Sequence, residues 1–513
     1  MFLILVLGLS SAAGVLSQAN PAINVPATLQ IVNKQISPDG FQRPTVLAGG
    51  VYPAPLIRLN NNKEFDVTVV NKLHNTVMDT NTSIHWHGLF QHSTNWADGV
   101  VGVTQCPIPP SDQFQYKFGL GDQVGTYWYH SHLSTQYCDG LRGPIVIDDP
   151  NDPYVKNKSY DVDNENTVIT LSDWYHTPSP KQVIPAVADS ILINGLGRYP
   201  GGPNSTLAVV NVAHGKRYRF RLLSLSCDPN FQFSIDGHTF EIIEADGGYT
   251  KPLVVDTIHI FAGQRYSFIM TANQTVGNYW IRALPNVGPT GFANGINSAI
   301  LRYKGAKAVN PTTKEGSHTN PLVETNLHPL VSSPVPGNPV PGGADISINI
   351  AATFNTTLNM FTVNGLPWVY DYPLPVLLQI LRGATNVNQL FPNVTYFGLA
   401  PNKSVEITLP AGAAGGPHPI HLHGHAFHVV RSAGNSSYNF VDPVVRDVVS
   451  MGDTGDVVTI RFQTDNPGPW FLHCHIDWHL QLGFAVALIE DITGIKNADP
   501  VPAEWTQLNK NPC

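Results

Sequence analysis

Ten of the chain's twenty histidines fall in four tight clusters: His85 and His87; His130 and His132; His418, His421 and His423; His473, His475 and His479. Within the clusters, histidines two apart sit on an apolar, strand-like background, and residues i and i+2 of a strand point to the same face. Such a pair can grip one site from one side. A single pair is more often packing or surface, but four clusters in one chain point to metal. Imidazole suits zinc, copper, iron and nickel, and Cys474, flanked by His473 and His475, adds one thiolate to this set. Two histidines and a cysteine with a weak axial position make a blue-copper arrangement, whereas zinc asks for a closed tetrahedron or three ligands plus water. On a strand the sulfur of Cys474 points away from both neighbouring imidazoles, so one strand touches two metal sites.

The elements that must carry these pairs repeat. Gly125-Thr-Tyr-Trp-Tyr-His-Ser-His132 aligns with Gly468-Pro-Trp-Phe-Leu-His-Cys-His475, and Ile84-His-Trp-His-Gly88 aligns with Ile420-His-Leu-His-Gly424. A middle copy has lost its histidines: Phe233-Ser-Ile-Asp-Gly237, with Ser234 and Asp236 at the His positions, precedes Gly277-Asn-Tyr-Trp-Ile-Arg-Ala-Leu284. The glycine-to-glycine gaps in the three copies are 37, 40 and 44 residues. Similar order and spacing predict three copies of one β-sandwich, with ligands kept in the first and last. Boundaries are expected at Pro150–Tyr154 and in the Pro-rich stretch His318–Gly343, giving domains at 20–152, 153–322 and 323–513.

Composition agrees. The 513 residues allow several domains, charged residues are 13% against about 25% in an average soluble protein, and 44 Gly and 42 Pro punctuate short strand-like runs such as Phe65–Val70 and Val457–Phe462. Net charge is −8 and no Lys/Arg cluster could track a phosphate backbone, so nucleic acid is excluded as a partner. Residues 1–19 read as a secretory signal that lacks a basic start, and no later apolar run would span a membrane. Eight Asn-x-Ser/Thr acceptors, Asn81, Asn157, Asn204, Asn273, Asn355, Asn393, Asn402 and Asn435, give weak support for export. Five cysteines, Cys106, Cys138, Cys227, Cys474 and Cys513, leave one thiol over if two bridges form.

The four clusters, and most of the chain from Ser37 to Trp505, resemble the secreted fungal laccases of the multicopper oxidase family. The resemblance implies an all-β fold of three consecutive cupredoxin-like Greek-key β-sandwich domains and four coppers per monomer: one type 1, one type 2 and two type 3. It places His418, Cys474 and His479 at the type 1 copper and His85 and His421 at the type 2 copper. It places His87, His130, His132, His423, His473 and His475 at the type 3 pair. Phe484 falls at the axial position of the type 1 site, where a hydrocarbon raises the reduction potential. His425 and His428 are left as packing or surface groups.

The resemblance further implies one-electron oxidation of phenols and aromatic amines coupled to four-electron reduction of dioxygen, by a secreted monomer degrading lignin or phenolic compounds. It implies bridges Cys106–Cys513 and Cys138–Cys227, a pairing that sequence alone leaves open among three. Asp228 matches a carboxylate that takes the phenol's proton beside His479, with an Asp-Pro turn as the plainer alternative. Asp98 and Asp477 are candidates for relaying protons or tuning bound water; a turn-forming Asp-Gly and a strand-end carboxylate are the simpler readings. Rival activities are oxidation of ascorbate, bilirubin or ferrous ion, a copper carrier without turnover, and a zinc hydrolase. The first-domain histidines speak against a carrier, which needs only His418, Cys474 and His479.

Overall fold

The computed structural model describes residues 22–369, 373–391, 394–510 and 513; the expected signal at 1–19 lies outside them. Short strands dominate, and the few helices are one or two turns long. The N-terminal third forms two four-stranded sheets, ordered Arg43–Ala48, Ala27–Ile36, Phe65–Asn71, Gln113–Phe118 and Ile57–Asn60, Arg142–Asp148, Gly125–His130, His85–His87. The middle third pairs a seven-stranded with a five-stranded sheet, and the last third pairs two five-stranded sheets beside the hairpin of Ala352–Asn355 and Met360–Val363.

Alternation sets which face each strand buries. Phe65–Asn71 alternates buried and half-buried residues, as a strand with one face on the core must. Gly125–His130, His85–His87 and Gly468–Cys474 are buried at every position. Their second faces are covered because they lie against the other thirds of the molecule. The core of the first sandwich accordingly runs on into Phe471, Leu480, Ala487, Ile489 and Trp505 of the last.

The repeat seen in the sequence is a repeat of strand register. His85 pairs across the sheet with His130, His421 pairs with His473, and in the middle copy Ser234 pairs with Arg282. Two disulfides, Cys106–Cys513 and Cys138–Cys227, join residues 407 and 89 apart in the chain, and Cys474 is left free and buried. Among the described residues no helix is long and apolar enough to cross a membrane.

Candidate metal centre

Cross-strand pairing brings each His-x-His pair against its partner, and the first and last sandwiches then face one another. The groups of three ligand atoms that result, each within 4.8 Å of one another, include His85, His87 and His421; His87, His130 and His475; His132, His423 and His473; and His418, Cys474 and His479. His475 Nε2 lies 3.2 Å from His87 Nδ1, and His423 Nε2 lies 3.1 Å from His473 Nε2.

The fourth group stands apart. Its sulfur is 3.5 Å from His418 Nδ1 and 3.7 Å from His479 Nδ1, and the two nitrogens are 3.1 Å apart. Backbone bonds fix the frame: Cys474 N–H donates to Phe484 O at 3.1 Å, and Phe484 N–H donates to His479 O at 3.0 Å. Phe484 is buried with its ring 5.1 Å from that of His418 and stacked on Phe361, so hydrocarbon closes this side. His479 is only half-buried, which leaves one edge of one ligand near the surface.

Metal-binding imidazoles must be neutral, and one ring nitrogen must be bare. His85 Nδ1 and His421 Nδ1 donate to the carbonyls of Asp98 and Asp447 at 2.8 and 2.9 Å. His130 Nδ1 and His473 Nδ1 donate to Ser131 O and Cys474 O, both at 2.9 Å. A carbonyl only accepts, so each of these rings carries its proton there and presents Nε2 bare. The buried Nε2 atoms of His85, His130, His132 and His421, and Nδ1 of His475, have no hydrogen-bond partner. Burial, reinforced by the neighbouring imidazoles, lowers His87, His130, His132, His421, His423 and His475 well below the ordinary histidine range. Burial takes His473 and His479 down to about 3, and it pushes the Cys474 thiol up. Each unsatisfied buried nitrogen costs about 1–3 kcal/mol, and the four bare Nε2 atoms within this cluster are explained by Lewis-acidic ions that accept their lone pairs. Imidazoles around one space, plus a separate two-histidine, one-thiol set, fit copper.

The three acidic candidates have different surroundings. Asp98 is fully buried, and its Oδ2 accepts from His423 Nδ1 at 2.9 Å while its carbonyl holds His85; it orients two imidazoles. Asp477 is buried beside a small cavity that also touches His132, His473 and His475, and burial raises its carboxyl far above the usual range. Asp228 is half-buried, and desolvation with the nearby Asp173 charge raises it to about 7. Neither extra histidine belongs to those four groups: His425 contacts Glu490 and His423 O, and His428 contacts Ser333.

Sequence inspection missed the strongest support of the site. Asp447 Oδ1 accepts from His87 Nε2 at 3.2 Å, and both its oxygens accept from Arg265 at 2.6 Å. Arg265 belongs to the middle sandwich, which supplies no ligand to these groups. No local pattern marks Asp447; only its burial with a partner 182 residues away does.

Sequence profiles of multicopper oxidases match residues 30–152, 165–306 and 370–494. The chain is 57% identical over 495 residues to laccase-2 of Trametes villosa, covering 95% of this chain and 94% of that one. Its structure is similar to that of the laccase from Botrytis aclada, with a TM-score of 0.79, 32% identity and coverage of 96% and 91%. It is also similar to Fet3p, a multicopper oxidase that functions in iron import, with a TM-score of 0.82, 27% identity and coverage of 95% and 94%. Three matched profiles on one chain, its full-length likeness to a fungal laccase and the convergent bare nitrogens place this chain in the multicopper oxidase family, among the fungal laccases.

Proposed function

We propose that the chain carries four coppers and oxidises phenols and aromatic amines one electron at a time, passing four electrons to dioxygen. His418, Cys474 and His479 hold the type 1 ion, His85 and His421 the type 2 ion, and His87, His130, His475, His132, His423 and His473 the type 3 pair. When bound, the coppers supply one-electron redox chemistry and an oxygen-binding site.

The chain's own residues do the rest. The partly exposed edge of His479 is where a donor's electron enters, and Asp228 accepts the proton that a phenol releases with it. Cys474 is covalently continuous with His473 and His475, so the tripeptide is the shortest path inward. Asp98 and Asp447 hold four imidazoles in orientation, which would keep their free lone pairs aimed at a bound ion. Asp477, kept protonated by burial, is a proton donor beside the dioxygen side. Phe484 adds no ligand atom and favours a high potential.

The domain limits follow as 20–152, 153–322 and 323–513. Secretion as a glycosylated monomer, working on lignin fragments or other phenols, completes the reading. The described acceptor asparagines support it by being exposed or half-exposed. The observation that carries it is the tripeptide His473-Cys474-His475, whose sulfur joins one group of three while its imidazoles join two others. Metal analysis with electron paramagnetic resonance tests it: four coppers per active chain with separate type 1 and type 2 signals are expected, and fewer than four overturn it.

A further inference from the structure

Electron and proton leave a phenol together, so His479 and Asp228 must be held at a fixed separation although they lie 251 residues apart. One buried carboxylate connects them. Asp173 ends the strand Val168–Trp174 and is fully buried. Its Oδ1 accepts from Arg142 Nη1 at 2.9 Å and from Cys227 N–H at 3.0 Å. Its Oδ2 accepts from Asp228 N–H at 3.1 Å and from the Tyr175 hydroxyl at 2.8 Å.

The Tyr175 oxygen then accepts from Trp478 Nε1 at 3.0 Å, and the two rings meet edge to face at 5.2 Å. Trp478 directly precedes His479 on the one-turn helix Asp477–Gln481. The same helix is tied a second time, because Asp477 N–H donates to Cys227 O at 2.8 Å. Neutralising Arg142 would need one carboxylate oxygen; the other is committed to the Asp228 turn and, through Tyr175, to the helix of His479. Burial raises Tyr175 well above the ordinary tyrosine range, so its hydroxyl keeps the proton it donates to Asp173.

We propose that Asp173, acting through Tyr175, is a positioning residue for phenol oxidation that sets the separation of Asp228 from His479. The inference rests on the roles assigned above to those two residues. A displacement near 1 Å can cost about 100-fold in a reaction that needs two groups at once, whereas a donor that yields only an electron needs His479 alone.

The obvious variant, Asp173→Asn, leaves the buried Arg142 without its counter-charge and can fail to fold. Tyr175→Phe removes only the hydroxyl link and keeps that ion pair. In the copper-loaded enzyme, Tyr175→Phe is expected to lower kcat/KM for dimethoxyphenol about tenfold more than for ferrocyanide, which releases no proton, with type 1 and type 2 paramagnetic signals retained. Equal losses on the two donors, or none on either, overturn the proposal. Asp228→Asn separates the two failures. If Asp228→Asn discriminates between the donors and Tyr175→Phe does not, the positioning role is wrong; if Asp228→Asn does not discriminate, the role of Asp228 itself falls and the inference with it.

Discussion

Replacing Asp228 by Asn keeps the shape of the side chain and removes its ability to take a proton. In the folded protein this carboxyl is raised to about 7, by desolvation first and by Asp173 second. The working base is the ionised form, so about 1% of molecules have it at pH 5, about a tenth at pH 6 and about half at pH 7. A positioned base contributes about 100-fold at the low end of its range, which makes the expected loss on phenols about twofold at pH 5, about tenfold at pH 6 and about fiftyfold at pH 7. Taking the variant-to-parent ratio at each pH cancels whatever pH does elsewhere in the molecule. The assay is kcat/KM for dimethoxyphenol across that interval, with ferrocyanide as the proton-free control, whose ratio should stay flat.

Stability gives an independent check on the same carboxyl. Its folded pKa lies above the unfolded value, so the native state binds the extra proton, and stability is full below about pH 4 and declines as pH rises towards about 7. Asn escapes that decline, and the variant's melting temperature should gain on the parent as pH increases. A phenol loss that does not grow with pH, or one that ferrocyanide shares, refutes Asp228 as the proton acceptor.

Three further outcomes are expected. Cys474→Ser should abolish the blue absorption and phenol oxidation while circular dichroism stays unchanged, since the buried sulfur is replaced by a smaller atom at the same place; retained turnover would break the proposed electron path. A Cβ at Gly415 would stand 2.8 Å from His479 Nε2, so Gly415→Ala should lower kcat/KM for bulky phenols by about tenfold with copper content unchanged, and a φ of +82° adds about 1 kcal/mol of strain. Stripping copper should lower the melting temperature, and the stripped protein should lose further stability in acid. The site imidazoles titrate below their unfolded values, so the unfolded chain binds the extra protons, and the stability of the apo-protein falls as pH drops below about 6.5. A pH-independent apo-protein would contradict their burial as neutral ligands.

The clustered imidazoles were legible because strand geometry writes them locally: two residues on one face need a spacing of two, and four such clusters need only counting. The register was legible for the same reason, since matching the three Gly-to-Gly segments aligned Ser234 with His85 and Arg282 with His130, as the sheets pair them. The disulfides came from resemblance, not from spacing. What stayed hidden is long-range electrostatics. Asp447 reaches His87 across 360 residues and Arg265 across 182, and Asp173 gathers Arg142, Tyr175, Cys227 and Asp228 around a strand end that looks ordinary in Leu171-Ser172-Asp173-Trp174. Asp98 was found as an acid near the site, but its bond to His423 Nδ1 shows a carboxylate aimed at a ligand's outer nitrogen.

The middle sandwich shows what separates a metal site from a core position at the same register. Asp236 stands where the other copies have His87 and His423, and Arg282 where they have His130 and His473. Both oxygens of Asp236 accept from Arg282, at 2.7 and 3.0 Å, and one also takes the Thr313 hydroxyl at 2.6 Å. That buried pair satisfies itself, so nothing there asks for an ion, while among the equivalent imidazoles His130 keeps an Nε2 with no protein partner at all. The sandwich that lost its ligands still serves the others, because Arg265 clamps the carboxylate that orients His87, and Asp246 accepts at 2.9 Å from Arg446 on the strand Val445–Arg446 of the last third. That service is electrostatic: with Arg265 removed, Asp447 would be a buried charge without its counter-ion, and the imidazole it steers would lose a fixed orientation.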